Sequence, residues 1–294
     1  MFRTLAGIPI SLALTVSLGV AADTSPGAAR AADIVAKNVA ARGGLETWRA
    51  VQTMSVSGKL GAGGNQRATL QVPTAGGRAG QQTTPQRPAE EVQLPFLMEL
   101  KRPRKMRFEL QFNGQTAVQV YDGNNGWKLR PFLNRRIVEA FTEEETRVSS
   151  MQSDLDGPLV DYAAKGTKIE FAGTEKVENR DTYKIKMIMT NGQNLHVWID
   201  AQTFLETKIE GQPRTLDGTA HPVEVYFRDY RPVNGLQIPF VLETQVLPVG
   251  KTVAGFKDPP VPVERIRIER VTLNPKLDEA RFTKPQIETG ADVK

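Results

Sequence analysis

Few residues in this 294-residue chain are of a type and spacing suited to acid–base, nucleophilic or metal chemistry. There are two histidines. His196 stands between Leu195 and Val197, so in an extended segment it points away from both, to the more exposed face. His221 and Glu224 are three apart at what reads as the start of a strand, so they point to opposite faces and make a poor ligand pair. Cysteine is absent, which removes thiol catalysis and zinc–thiolate sites. Asp122-Gly123-Asn124-Asn125-Gly126 and Asp154-Leu155-Asp156-Gly157 resemble the start of calcium loops. The twelfth position, where an EF-hand needs a bidentate Glu, holds Leu133 and Lys165. Both segments read as turns in which Asp and Asn accept local backbone hydrogen bonds. Asp154 and Asp156 could in principle form an acid/base pair, but carboxylates at this spacing are commonplace. No Gly-x-Ser-x-Gly, Walker or dinucleotide fingerprint is present. The expectation is a non-enzymatic protein with no catalytic residue, no metal and no cofactor.

Binding is the chemistry that remains. Lys101-Arg102-Pro103-Arg104-Lys105-Met106-Arg107 is a basic run ahead of a strand. Its members Lys101, Arg102, Arg104 and Lys105 form an expected rim that could meet lipid head groups or an anionic partner, and a membrane surface or membrane-protein partners are among the partners expected of the protein. The apolar candidates follow from the hairpins. Asn113-Gly114, Asn191-Gly192 and Asn234-Gly235 each separate two segments of alternating apolar and polar residues, the strongest local hairpin signal. A two-residue loop at the first pair would set Phe108 opposite Gln119. Shifting by one residue sets Phe108 against Val118 and Met106 against Val120. The same shift pairs Ile185 with Val197 and Met187 with Leu195, then Tyr230 with Ile238 and Tyr226 with Leu242. The apolar pattern thus predicts three-residue loops with each Gly as a left-handed bulge. In that register Met106, Phe108, Leu110, Val118, Val120, Trp127, Leu129, Ile185, Met187, Met189, Leu195 and Val197 share one face, the candidate ligand-binding surface.

The elements that position this face read as one α+β domain, mostly β. Residues 1–22 combine one cation, an apolar stretch and small residues before Asp23, which predicts a secretory signal peptide cleaved after Ala21 or Ala22 and a soluble periplasmic protein. The mature domain spans 23–285, and 286–294 read as a disordered tail. Residues 28–42 read as an amphipathic helix ended by Gly43-Gly44, with a further helical turn around Trp48. Residues 61–94, rich in Gly, Gln, Thr and Pro, read as a flexible insertion with one short strand near 68–72. Thr142-Glu143-Glu144-Glu145 is a capping box opening a helix to about Met151. Strands are expected at about 53–60, in the β pattern from 95 through 121 and at 127–130, and at about 168–177, 182–190, 195–200, 204–210, 223–231, 236–246 and 263–273. The net charge of +5 suits a soluble basic surface, and without a nucleic-acid-binding motif no nucleic acid is expected.

The opening helix ending Ala41-Arg42-Gly43-Gly44-Leu45-Glu46-Thr47-Trp48, the segment Tyr121-Asp122-Gly123-Asn124-Asn125-Gly126-Trp127 and the segment Asp156-Gly157-Pro158-Leu159-Val160-Asp161-Tyr162 resemble the LolA/LolB-like family of outer-membrane lipoprotein-sorting proteins. The resemblance implies a strongly curved antiparallel sheet, an incomplete barrel, with a few helices covering its concave face and a cavity for acyl chains. It implies partners that are the acyl chains of lipids or lipoproteins, carried towards the outer membrane. The alternative on the same fold is a protein-interaction or envelope-stress-sensing module without lipid cargo.

Overall fold

The computed structural model describes residues 25–62, 92–131, 135–216, 218–249, 261 and 263–286. The predicted signal peptide, the 68–72 strand and all but the first residue of the predicted tail lie outside them. Thirteen strands form one antiparallel, unclosed sheet: β1 (Thr53–Ala62), β2 (Val92–Lys101), β3 (Lys105–Phe112), β4 (Gln115–Tyr121), β5 (Gly126–Arg130), β6 (Arg135–Ala140), β7 (Lys168–Val177), β8 (Arg180–Ile188), β9 (Asn194–Asp200), β10 (Glu206–Glu210), β13 (Val223–Val233), β14 (Leu236–Val246) and β15 (Glu264–Leu273). A separate small hairpin pairs β11 (Arg214–Leu216) with β12 (Thr219–His221). The order across the large sheet is β6-β5-β4-β3-β2-β1-β15-β14-β13-β10-β9-β8-β7. The meander is thus cut once, where β15 returns from the end of the chain to pair with β1. Register shifts at Ser57/Gly58, Leu129/Arg130, Phe171/Gly173 and Glu206/Lys208 insert bulges, which bend and twist strands and so help the sheet curve.

Three helices lie on one face. Ser25 caps α1 (Pro26–Ala41), its side chain accepting from the Ala28 amide at 3.2 Å, and Pro26 starts the first turn. Ala31, Ile34 and Val35 are its buried stripe, set against Ile169, Ile185, Met187, Leu195, Val197 and Ile199. Gly43 and Gly44 end the helix at φ 112° and 90°. Gly43 also permits a close approach, since a Cβ there would fall 2.3 Å from the Gly235 carbonyl oxygen. The short α2 (Leu45–Ala50) drops Trp48 into a second cluster with Met54, Val56, Phe96, Leu100, Met106, Tyr121, Leu236, Ile238 and Phe240. In α3 (Glu143–Gln152) the predicted capping box is formed on both sides, by Thr142 and Glu145.

The hairpins correct the expected registers in two of three cases. At Asn113-Gly114 both residues are left-handed, at φ 49° and 70°, and the loop has two residues: Phe112 pairs with Gln115, Phe108 with Gln119 and Met106 with Tyr121. At Asn234-Gly235 the φ values are 45° and 86°, Val233 pairs with Leu236, and Tyr226 faces Glu243. These are primed two-residue turns, whose twist matches that of the strands. The middle hairpin has the expected register, with Ile185 opposite Val197 and Met187 opposite Leu195. Its three-residue loop is closed by the Met189 amide donating to the Gln193 carbonyl at 2.9 Å, with Gly192 at φ 80°.

The first correction has a physical reason. In an antiparallel pair, directly opposed residues share a face, so Val118 lies with Glu109 and Val120 with Arg107, opposite to Phe108 and Met106. That second face is also buried. Arg281, in the closing 3-10 turn Glu279–Phe282, donates to Glu99 at 2.5 Å and to Glu109 at 3.2 Å, and its carbonyl accepts from Arg107 at 3.1 Å. Phe282 is 1% exposed. The chain end therefore covers one side of β2–β4, so β4 is apolar on both faces and like need not oppose like. The outer face elsewhere is held by charge and rings: Trp198 lies under Lys208 at 4.1 Å and Lys184 at 4.7 Å, and its indole N–H donates to Glu175 at 2.9 Å.

The predicted insertion is narrower than 61–94, because β1 continues to Ala62 and β2 begins at Val92, with Leu60 opposite Leu94. Strand β6 and the β11–β12 hairpin had no counterpart in the expected elements.

Candidate functional site: an apolar inner face and the cleft under α3

The inner face can be followed row by row. Phe227, Leu242, Ile266, Leu60 and Leu94 oppose one another across β13, β14, β15, β1 and β2. The next row holds Ile268, Gly58, Phe96, Leu110 and Ala117, and the one after it Val271, Val56, Met98 and Phe108. Phe96 and Phe108 stack at 5.9 Å between ring centroids. Leu60, Met98, Phe108, Leu110, Ile266 and Ile268 are only partly buried, so among the described residues the middle of the face lacks the cover that α1 gives to β7–β9.

Beside this strip, between α3 and the sheet, lies a cleft of about 700 Å³. Its apolar part is Leu195, Ile209, Val223 and Val225 from the sheet, with Val148 and Met151 from α3 and Met189 from the hairpin tip. Arg104, Glu144, Arg147, Asp154, Lys165, Glu210 and Arg214 supply its charged lining. Such a volume, with an apolar lining and a few polar groups, is typical of a small-molecule pocket. Val225 is two residues from Phe227 on the same face, so the cleft and the half-buried strip share that face of the sheet.

Helix α3 is held over the cleft mainly by polar contacts: only Ser149 on it is buried, and Met151 packs partly buried against the β7–β9 cluster. Lys128 of β5 bonds Glu145 at 2.5 Å at one end. Arg147 donates to Gln193 and to Gln212, each at 2.9 Å, so it joins the helix to both lips of the cleft, and it also pairs with Glu144. Behind the cleft, Lys165 sits between Asp154 at 2.9 Å, Asp156 at 2.5 Å and the Gly157 carbonyl at 2.7 Å. Arg102 reaches Asp156 from the other side at 2.6 Å. Burial pushes the Asp154 carboxyl up to about 6, against the pull of Lys165. Burial acts on Asp156 too, but the hydrogen bonds from Lys165 and Arg102 outweigh it and hold this carboxyl below its usual range. The two aspartates therefore anchor the 154–162 segment, with Arg42 donating to the Asp156 carbonyl at 3.1 Å and Arg49 bidentate on Asp161 at 2.7 and 2.9 Å.

The sequence-predicted site residues divide into three groups. Met106, Phe108 and Leu110 lie on the inner face, as do Ile185, Met187, Leu195 and Val197. Among them Met106, Ile185, Met187 and Val197 are closed core, at 2%, 0%, 0% and 1% exposure, while Leu195 reaches the cleft and Phe108 and Leu110 the open strip. Val118, Val120, Trp127 and Leu129 lie on the outer face, because Trp127 opposes Val120 and Leu129 opposes Val118. The single continuous face expected from the shifted register is corrected on that point. The basic rim is also redistributed. Lys101 and Lys105 both bind Glu279, at 2.6 and 2.7 Å, and hold its carboxyl down to about 2. Arg102 is turned inward, onto Asp156 and the Trp48 and Val51 carbonyls. Only Arg104 of the four lines the cleft. His196 is on the outer face with its ring nitrogen 2.9 Å from Glu210, and His221 is buried with its Nδ1 3.1 Å from the Leu247 carbonyl. Among the described residues no group of three or more metal-ligating side chains is placed to hold an ion.

Sequence reasoning missed Arg147, Ile209 and Val225 as cleft residues. The alternation Val223-Glu224-Val225 was a usable signal for the last.

An unclosed, curved antiparallel sheet with helices against its inner face and a cleft beneath one of them is a half-barrel architecture. Solved structures share it. The chain superposes on a LolA superfamily protein from Nitrosomonas europaea with TM-score 0.52 and 12% identity, covering 86% of this chain and 97% of that one. A putative outer membrane lipoprotein-sorting protein domain from Vibrio parahaemolyticus matches with TM-score 0.50 and 12% identity over 87% of this chain and 97% of that one. A DUF1329 family protein from Desulfovibrio piger gives TM-score 0.50 and 11% identity over 86% and 97%. No protein-family model and no curated protein sequence matches the chain. The likeness is one of fold, and the fold is LolA-like. Among the described residues no helix is long and apolar enough to cross a membrane.

Proposed function

We propose that this protein is a non-enzymatic, periplasmic binder of acyl chains that carries lipids or lipoproteins towards the outer membrane. The observation that carries the reading is the half-buried strip of Leu60, Met98, Phe108, Leu110, Ile266 and Ile268, which opens beside a cleft of about 700 Å³. Apolar side chains left half covered on an inner face gain from a greasy ligand, at about 0.8 kcal/mol for each methylene buried. A carrier must also release its cargo. The polar tethers of α3 suit that demand, because water can replace hydrogen bonds to Gln193 and Gln212 more readily than it can separate a packed apolar stripe. The LolA-like fold, and the names of the Nitrosomonas and Vibrio neighbours, support the same reading.

The test is direct. Protein purified from the periplasm and extracted with organic solvent releases lipid, and the stripped protein binds a fluorescent fatty acid. Phe108→Glu lowers that affinity at least tenfold while the circular dichroism spectrum stays that of the parent. Absence of both extractable lipid and probe binding would replace this reading with a protein-interaction module on the same fold.

A further inference from the structure

The charges lining the cleft sort almost completely into pairs. Of the acids, Glu144 pairs with Arg147 and Asp154 with Lys165 at 2.8 Å, while the Glu210 carboxylate is held by the His196 amide at 2.8 Å and lies 2.9 Å from the His196 ring on the outer face. Each base but one has an acid, Arg214 being held by Glu264 at 2.5 and 2.6 Å. The exception is Arg104. It is exposed in the turn between β2 and β3, lines the cleft, and has no ion-pair partner among the described residues. A second observation concerns Arg147, whose guanidinium donates to the neutral amide oxygens of Gln193 and Gln212 at the cleft lips. An anionic oxygen competes well for such donors, because charge-assisted hydrogen bonds are roughly twice as strong as neutral ones.

We infer that the cleft selects amphiphiles whose head carries a single negative charge, with the oxyanion at Arg104 and Arg147 and the acyl chain over Leu195, Ile209 and Val225. The inference rests on the acyl-chain reading above and adds the ligand's head to it. One uncompensated cation at the mouth of an apolar cleft matches one negative charge on the ligand. A neutral ester leaves Arg104 without a partner, and a doubly charged head brings one charge too many beside Glu144. A carboxylate from a fatty acid and a phosphodiester from a phospholipid whose head carries no cation are equivalent in this chemistry.

The experiment is competition against a bound fluorescent neutral lipid, below the micelle threshold, with four competitors: oleate, methyl oleate, lysophosphatidylglycerol and lysophosphatidylcholine. Oleate displaces the probe about tenfold better than methyl oleate, and lysophosphatidylglycerol about tenfold better than lysophosphatidylcholine. A preference in only one of the two pairs identifies the natural source as carboxylate or phosphodiester. Arg104→Gln brings both ratios close to one. Lys176→Gln removes an equal charge from exposed β7, with its partner Asp181 at 3.1 Å, and leaves the ratios unchanged. Equal displacement by charged and neutral competitors, or ratios unmoved by Arg104→Gln, overturns the head-group inference while the acyl-chain reading stands. Failure of every amphiphile, including the neutral probe, overturns the reading itself.

Discussion

Two patches of the inner face have the same chemistry and different cover. On β7–β9, Ile169, Ile185, Met187, Val197 and Ile199 are closed by Ala31, Ile34 and Val35 of α1. On β1–β3 and β15, Leu60, Met98, Phe108, Leu110, Ile266 and Ile268 remain only partly buried among the described residues. An apolar sheet face does not by itself define a ligand site. What distinguishes the two patches is whether a helix of this chain already fills the space, and that depends on where α1 docks. The docking is set at its C-terminal end, where Gly43 meets the β13–β14 turn and Gln237 donates to the Arg42 carbonyl at 3.1 Å.

The most damaging change should be one that removes the support common to both patches. Asp156 holds the 154–162 segment, whose Leu159 belongs to the α1 patch and whose Leu155 and Val160 belong to the other. Asp156→Asn leaves Arg102 and Lys165 short of a buried carboxylate and is expected to lose about 3–5 kcal/mol in denaturant titration. A loss below about 1 kcal/mol would mean the two patches stand independently of this anchor.

A smaller and more discriminating effect comes from truncating one residue in each patch. Met187→Ala should cost about 2–5 kcal/mol, as expected for a fully buried side chain, without any specific effect on ligand affinity. Phe108→Ala should cost about 1 kcal/mol or less in stability but weaken acyl-chain binding several-fold. Equal stability losses at the two positions would erase the distinction between closed core and open strip.

The smallest expected effect is a pH dependence. Folding raises the Asp154 carboxyl from 3.8 to about 6, so between those values the folded state holds a proton that the unfolded chain has released. Stability from this group therefore falls as pH rises from about 4 to 6 and stays lower above that. Asp154→Asn should flatten this decline and raise stability at pH 7 by about 1–2 kcal/mol. The lowered Asp156 carboxyl works in the opposite sense, losing stability as pH falls below 4, and that arm should persist in the variant. Urea midpoints at pH 3, 4, 5, 6 and 7 separate the two arms.

Much of this was legible in the sequence. The α3 capping box formed as written, and the Gly43-Gly44 stop ended α1 where expected, because both depend on residues within a few positions of each other. Most strand positions followed from period-two alternation. The register of the first and third hairpins was not legible. Choosing it by matching apolar with apolar assumed one buried face, whereas Phe282 and Arg281 bring the chain end across the other. The candidate site was half legible: Phe108, Leu110 and Leu195 were found, while Arg147, Gln212 and Ile209 were not, since nothing local links α3 to β10.

By itself the sequence determined the positions of the turns, caps and alternations, and with them a mostly β chain with an apolar sheet face, because these depend on local sterics and hydrogen bonding. Only the tertiary structure decided which part of that face α1 closes, which of the cleft's bases has no ion-pair partner among the described residues, and that Val118, Val120 and Trp127 look outward. Those outcomes depend on contacts between segments more than a hundred residues apart, such as Arg281 with Glu99 and Arg42 with Glu206, and no local pattern encodes them.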